Sequence, residues 1–215
     1  MSLSIEALKH RPQDVKEVIL SDKANKNSQL SYLLELCGKN GIEPVYDDRM
    51  IEKLSLKENC YCIAVFNKFN SDLSYDEHLL LYRFSDYGDL GTIIRSAVSF
   101  DFRDIVLIGS DIDYFDPRCI RASMGSIFHC NIVRFVSIDE YRSSYPQFNV
   151  YPFVSDSGKE LDTLELNRPY AILISQDYHG LDGMDGYYIE HRDLSDISLS
   201  IRSSIILQKV FSLKS

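Results

Sequence analysis

Asp86-Tyr87-Gly88-Asp89-Leu90-Gly91-Thr92-Ile93-Ile94-Arg95 is the stretch on which the reading of this chain turns. It follows His78–Phe84, a run apolar enough to be a strand, and leads into Leu90–Phe100, which reads as a helix. Gly88 permits a tight turn there, and Asp89 can cap a helix beginning near Leu90. Such a junction leaves helix N–H groups free at the C-terminal end of a strand, where open α/β sheets bind ligands. Arg95 falls about one and a half turns into the helix. Read without other context, the same residues make a helix cap and a surface arginine. The pattern is not the dinucleotide fingerprint G-x-G-x-x-G.

Downstream, strands are expected at Asp104–Gly109, Ile132–Val136, Phe148–Val154, Tyr170–Ser175 and Tyr187–His191. Helices are expected at Pro117–Phe128 and, closing the chain, Leu194–Phe211. Strands this continuously apolar suit a sheet covered on both faces, hence mostly parallel. Upstream, a helix at Ser4–Lys9 ends at Arg11-Pro12, and strand Val15–Leu20 follows. Helix Asn27–Gly38, strand Glu43–Tyr46, helix Asp48–Leu54 and strand Tyr61–Phe66 complete a small α/β module. The polar run Phe69–Asp76 reads as a linker, giving an N-terminal domain at 1–70 and a C-terminal one at 77–215.

The decisive stretch resembles the first motif of the SpoU-type RNA 2′-O-methyltransferases, within the SPOUT class, which reads N-x-G-N-L-G-T-I-I-R. Gly88 and Leu90 through Arg95 match in register, and Ser96-Ala97 follow. Asp116-Pro117 and the segment Ile120-Arg121-Ala122-Ser123-Met124-Gly125-Ser126-Ile127-Phe128 match the family further on. Ile5-Glu6-Ala7-Leu8 and Arg11-Pro12 resemble the start of its N-terminal substrate-binding domain.

The resemblance implies a C-terminal α/β domain with a trefoil knot, a homodimer, S-adenosylmethionine as cofactor and RNA (rRNA or tRNA) as partner. It implies catalytic roles for Arg95, Asp177 and Ser198. Ile174, Ser175, Gly180, Leu181, Ile189, Ile197 and Ser198 would hold the cofactor. Asp86, Gly88, Asp89, Arg95 and Arg121 would meet RNA. Arginine, with its pKa above 12, suits positioning of phosphate and ribose and polarising of the hydroxyl better than proton removal. The chain departs from the family in its cofactor half. Ser175 and Tyr178 stand where glycines are expected, Ser198 where an asparagine is, and Asp86 and Asp89 where asparagines precede the first-motif glycine and leucine. Two readings follow: an S-adenosylmethionine-dependent RNA 2′-O-ribose methyltransferase, or an inactive RNA-binding pseudoenzyme on the same fold.

Composition sets the bounds. The chain has 215 residues, 45% hydrophobic and 26% charged, enough for a substantial core. A net charge of −9 gives no global attraction to nucleic acid. RNA contact then needs local basic groups: Lys9, His10, Arg11 and Lys16, or Arg95, Arg118 and Arg121. Five cysteines without framework spacing, no signal peptide and no long apolar span point to the cytoplasm, with no membrane association. Cys60-Tyr61-Cys62 lacks a second ligand pair, and the acidic run Ser110–Asp116 lacks EF-hand spacing, so no metal is expected. Tyr87 and Tyr178 are candidates for stacking on unpaired bases. His179 and His191 lie near the site but match no catalytic position of the family.

Overall fold

The computed structural model describes residues 1–55, 59–153, 159–175, 181, 186–188 and 197–214. They form two units, Met1–Phe69 with Met124–His129, and Asn70–Ser123 with Cys130–Ser215.

The first unit contains α1 (Ser2–His10), β1 (Val15–Leu20), α2 (Leu30–Lys39), β2 (Val45–Tyr46), α3 (Asp48–Leu54) and β3 (Cys62–Phe66). β1 is the central strand, parallel to β2 and antiparallel to β3. Its Val18, Ile19 and Leu20 are fully buried. α2 begins three residues later than its sequence suggests. The Ser21 hydroxyl accepts the Lys23 N–H and starts a tight 3-10 turn over Asp22–Lys26. Asn27 then bonds the Gln29 N–H at 3.0 Å, a local side-chain competitor for helix.

The second unit contains β4 (Glu77–Tyr82), α4 (Tyr87–Ser99), β5 (Asp104–Ile108), α5 (Pro117–Ala122), β6 (Asn131–Phe135), α6 (Ile138–Ser144), β7 (Asn149–Phe153), β8 (Lys159–Glu160), β9 (Tyr170–Ser175), β10 (Tyr187–Tyr188) and α7 (Leu199–Ser212). Among the described residues the strands lie in the order β6-β5-β4-β9-β7-β10-β8, with every pairing parallel. This is the sheet that near-continuous apolar strands imply. Leu79, Leu80 and Leu81 are fully buried on successive faces of β4. Burial of each such side chain contributes roughly 2 kcal/mol.

The sequence expectation also fails further along the chain. The helix expected over Pro117–Phe128 stops at Ala122, because Met124 (φ 52°) and Gly125 (φ 85°) adopt left-handed backbone. A separate 3-10 turn, Ser126–His129, follows. α6 was not anticipated, although Ser137 accepts the Glu140 N–H while the Glu140 carboxylate takes the Val136 N–H at 2.7 Å, close to a capping box. The closing helix begins at Leu199 rather than Leu194, with Ser198 as its cap and Ile197 ahead of it; residues 194–196 lie outside the described set.

At the N-terminal edge of the sheet lies a buried polar network. Asp104 accepts the Tyr75 N–H at 2.7 Å and the Asn131 amide at 2.8 Å. His78 Nδ1 lies 2.8 Å from the Tyr141 hydroxyl, and its ring stacks on Phe148 with centroids 4.0 Å apart. No described helix is long and apolar enough to cross a membrane.

Candidate functional site

The C-terminal ends of β5, β4 and β9 meet side by side, with Tyr82 in register with both Ile108 and Ser175. Leaving β4, the chain turns through Arg83 (φ 55°), whose N–H bonds to the Ile108 carbonyl at 2.9 Å. The Ser110 hydroxyl donates to the Phe84 carbonyl at 2.5 Å and ties the β5 exit to the same turn.

Asp86 then caps α4: its Oδ1 accepts the Asp89 N–H at 2.7 Å. This corrects the expectation that Asp89 caps a helix from Leu90. The helix starts at Tyr87, and Asp89 sits in its first turn, where a negative charge complements the helix dipole. Gly88 is therefore helical and does not supply a preceding turn. A Cβ on it would come within 3.2 Å of the capping Asp86 oxygen. Gly91 has a different role. A Cβ there would meet Ala122 Cβ and the Cys119 carbonyl at 2.5 Å each, so α4 and α5 pack together only over bare backbone.

Arg95 is exposed on α4, and its guanidinium makes no hydrogen bond or ion pair among the described residues. Three residues before it, Thr92 lines a groove between α4 and α7 with Ser200, Ile201, Ser204, Ile205 and Gln208. Ser96 joins the helices through Ser204 at 2.8 Å between hydroxyls. Across the α4 N-terminus, the Arg118 guanidinium lies 4.0 Å from the Tyr87 ring centre. Two hydrogen bonds of 2.9 Å pin it to Asp116. Those bonds hold the Asp116 carboxyl down at about 2. The charge of Arg121, itself half-buried on α5, adds to the effect. Burial pushes the Cys119 thiol up to about 12, so it is no nucleophile at neutral pH.

At the end of β9, Ile174 and Ser175 are buried, and the Ser175 hydroxyl donates to the Tyr82 carbonyl at 3.3 Å. The serine that replaces a family glycine thus turns its polar atom back into the sheet. Leu181 packs in the core with Leu80, Val106, Ile138 and Leu173. Ser198 is exposed at the start of α7, its Oγ 3.0 Å from that of Ser200, and Ile197 beside it is half-buried. Asp177, Gly180 and Ile189, together with Tyr178, His179 and His191, lie outside the described residues. The structure therefore gathers Asp86, Gly88, Asp89 and Arg95 on one helix, and Ile174, Ser175 and Leu181 at or beside β9. Sequence reasoning named Tyr87 and Arg118 singly but not as a stacked pair, since their contact depends on how α4 and α5 pack.

A parallel sheet whose first crossover helix is capped at the carboxyl edge, and carries an exposed arginine without a partner among the described residues, is the layout of an open α/β protein. Residues 76–185 match the SpoU rRNA methylase family, and the chain belongs to it. It is 22% identical over 184 residues to an uncharacterized tRNA/rRNA methyltransferase of Archaeoglobus fulgidus, covering 82% of this chain and 80% of that one. It is 24% identical over 183 residues to the 23S rRNA (guanosine(2553)-2′-O)-methyltransferase RlmP of Bacillus subtilis, covering 82% of this chain and 69% of that one. The fold is similar to that of the SpoU methyltransferase AviRb from Streptomyces viridochromogenes in complex with AdoMet. That likeness has a TM-score of 0.80 at 18% identity, over 100% of this chain and 88% of that one. The AdoMet-bound rRNA methyltransferase from Sinorhizobium meliloti gives 0.77 at 20% identity, over 97% and 84%.

Proposed function

We propose that this chain is an S-adenosylmethionine-dependent RNA 2′-O-ribose methyltransferase. The observation that carries the reading is Arg95, a solvent-facing cation without a protein partner among the described residues, on the helix that opens at the carboxyl edge of the sheet. A permanently charged fork with free donors suits an RNA phosphate and ribose hydroxyl. Held there, the 2′-oxygen is oriented and its hydroxyl polarised; proton removal falls to another group, because an arginine does not deprotonate. Asp86, Gly88, Asp89 and Arg121 border the RNA in this reading, and Asp177 and Ser198 complete the catalytic set.

The described end of β9 is compatible with the cofactor: Ile174 and Leu181 are buried, Ile197 is half-buried, and the Ser175 hydroxyl is already engaged by the Tyr82 carbonyl. With Gly180, Ile189 and Ser198 they would hold S-adenosylmethionine, which supplies a methyl group made electrophilic by its sulfonium. In this reading the C-terminal domain, residues 77–215, carries the trefoil knot, residues 1–70 would hold RNA, and the protein would act in the cytoplasm. The enzyme would work as a homodimer: Ile201, Ile205, Phe211 and Leu213 on the closing helix and its end are exposed, and Ile201 and Ile205 line the α4–α7 groove.

The pseudoenzyme reading draws on the exposed carboxylate of Asp86, which adds repulsion where an RNA phosphate would approach. The test is transfer of labelled methyl from S-adenosylmethionine to total rRNA and tRNA, with ribose analysis of the product. Wild type should label ribose 2′-oxygens, and Arg95→Ala should lose about 100-fold in rate while keeping its melting temperature. No thermal stabilisation by millimolar S-adenosylmethionine, together with no methyl transfer, would overturn the enzyme and leave the RNA-binding pseudoenzyme.

A further inference from the structure

We propose that Glu6, His10 and His129 form a binding site for a divalent transition-metal ion, Zn²⁺ above all, within the first unit. Glu6 and His10 stand one helical turn apart on α1 and so share a face. His129 ends the Ser126–His129 turn and comes from 123 positions away to the same carboxylate, its Nε2 2.6 Å from Glu6 Oε2. His10 Nε2 lies 3.7 Å from that same oxygen, and the three ligand atoms all fall within 4.8 Å of one another. The two imidazoles lie against each other with centroids 3.7 Å apart.

These spacings bracket what a metal needs. Nitrogen and oxygen ligands sit about 2.0–2.1 Å from zinc, which in a tetrahedron puts them roughly 3.4 Å apart. The Glu6–His129 contact has to open by less than about 1 Å, the Glu6–His10 contact has to close by a few tenths of an ångström, and the two imidazole nitrogens, within 4.8 Å of each other, have to approach by at most about 1.5 Å. Lys9 Nζ engages the other carboxylate oxygen, Oε1, at 3.8 Å and leaves Oε2 to the imidazoles. The Gly125 backbone (φ 85°) passes close behind Glu6, where a Cβ on Gly125 would come within 3.0 Å of Glu6 Cβ. His10 is exposed while Glu6 and His129 are half-buried, so an ion can reach the site from solvent and keep water in its remaining positions. Two imidazoles and one carboxylate favour Zn²⁺, Ni²⁺ or Co²⁺ over Mg²⁺ or Ca²⁺, which prefer all-oxygen sites. A bound ion would tie α1 to the segment that follows the left-handed turn at Met124–Gly125. The alternative is a plain carboxylate–imidazole hydrogen bond with a second ring packed on it, and such a cluster captures no metal.

Full-length protein stripped with EDTA is titrated with CoCl₂ and followed by visible absorption. One equivalent should bind with the d–d bands of a nitrogen- and oxygen-ligated ion, without the intense thiolate charge-transfer band that any of the five cysteines would give. ZnCl₂ should bleach those bands and raise the melting temperature. His10→Ala removes an exposed side chain and retains the fold; it should weaken binding about tenfold or more and lose the zinc-dependent stabilisation. His129→Gln, which keeps a donor for Glu6 but a poor ligand, should behave alike. Absence of binding, a thiolate signature, or equal affinity in wild type and both variants would overturn the site.

Discussion

Gly91 and Ala122 stand closer than two alanines could: a Cβ on Gly91 would lie 2.5 Å from Ala122 Cβ and equally near the Cys119 carbonyl. Gly91→Ala should therefore destabilise the protein despite the better helix propensity of alanine, which is worth about 1 kcal/mol. Overpacking against backbone costs about 2 kcal/mol or more, so a net loss and a melting temperature lower by several degrees are expected in thermal unfolding. Adding Ala122→Gly should recover only part of the loss, because the Cys119 carbonyl and the Ser123 N–H, 2.8 Å away, stay in place.

Asp86 has two separable effects on α4, a cap and a charge. Asp86→Ala should lower stability by about 1 kcal/mol, read from denaturant unfolding. Asp86→Asn keeps an acceptor for the Asp89 N–H and should leave stability nearly unchanged. By removing a negative charge from the edge where RNA is proposed to lie, it should tighten RNA binding in a filter assay at low salt.

His78 makes stability depend on pH. Burial lowers its pKa below the ordinary 6.5, with the nearby Asp104 charge only partly opposing. The unfolded chain then takes up a proton before the folded one does. The stability that rests on neutral His78 is fully present above about pH 6.5 and is lost as pH falls through its folded-state pKa. The melting temperature should drop on acidification below neutrality, and a His78→Asn variant should show a shallower drop across that window. An equally steep profile in the variant would remove His78 from the explanation.

Ile205 reports on self-association. It is 41% exposed in the α4–α7 groove, so a charge there leaves the single chain folded. Light scattering should give twice the chain mass for wild type and the single-chain mass for Ile205→Glu, with unchanged far-UV circular dichroism. A monomeric wild type would withdraw the homodimer.

Much of the second unit was legible because its strands are continuously apolar; β4, β5 and β9 fall within two residues of where composition puts them. The motif around Arg95 was legible too, as a run of identities in register. What escaped was conformational. Ala122-Ser123-Met124-Gly125 carries no proline, and a left-handed methionine contradicts local propensity, so the sequence predicts a helix that continues. The cap moved from Asp89 to Asp86 because two acidic residues three apart are equally good caps on paper, and only the start of α4 decides between them. The Glu6–His129 contact was beyond reach for another reason: nothing local signals an encounter across 123 positions.

The neighbour of β4 on one side is β9, and the Tyr82–Ser175 pair joins residues 93 positions apart. During synthesis, β5 and β6 emerge soon after β4, β5 pairing with β4 and β6 with β5. The opposite edge of the most apolar strand then waits, its amides and carbonyls uncovered, until Tyr170–Ser175 leaves the ribosome. An open edge of that kind invites pairing with a neighbouring nascent chain. Ribosome stalling or truncation between β6 and β9 would consequently yield an aggregating fragment rather than a smaller folded domain.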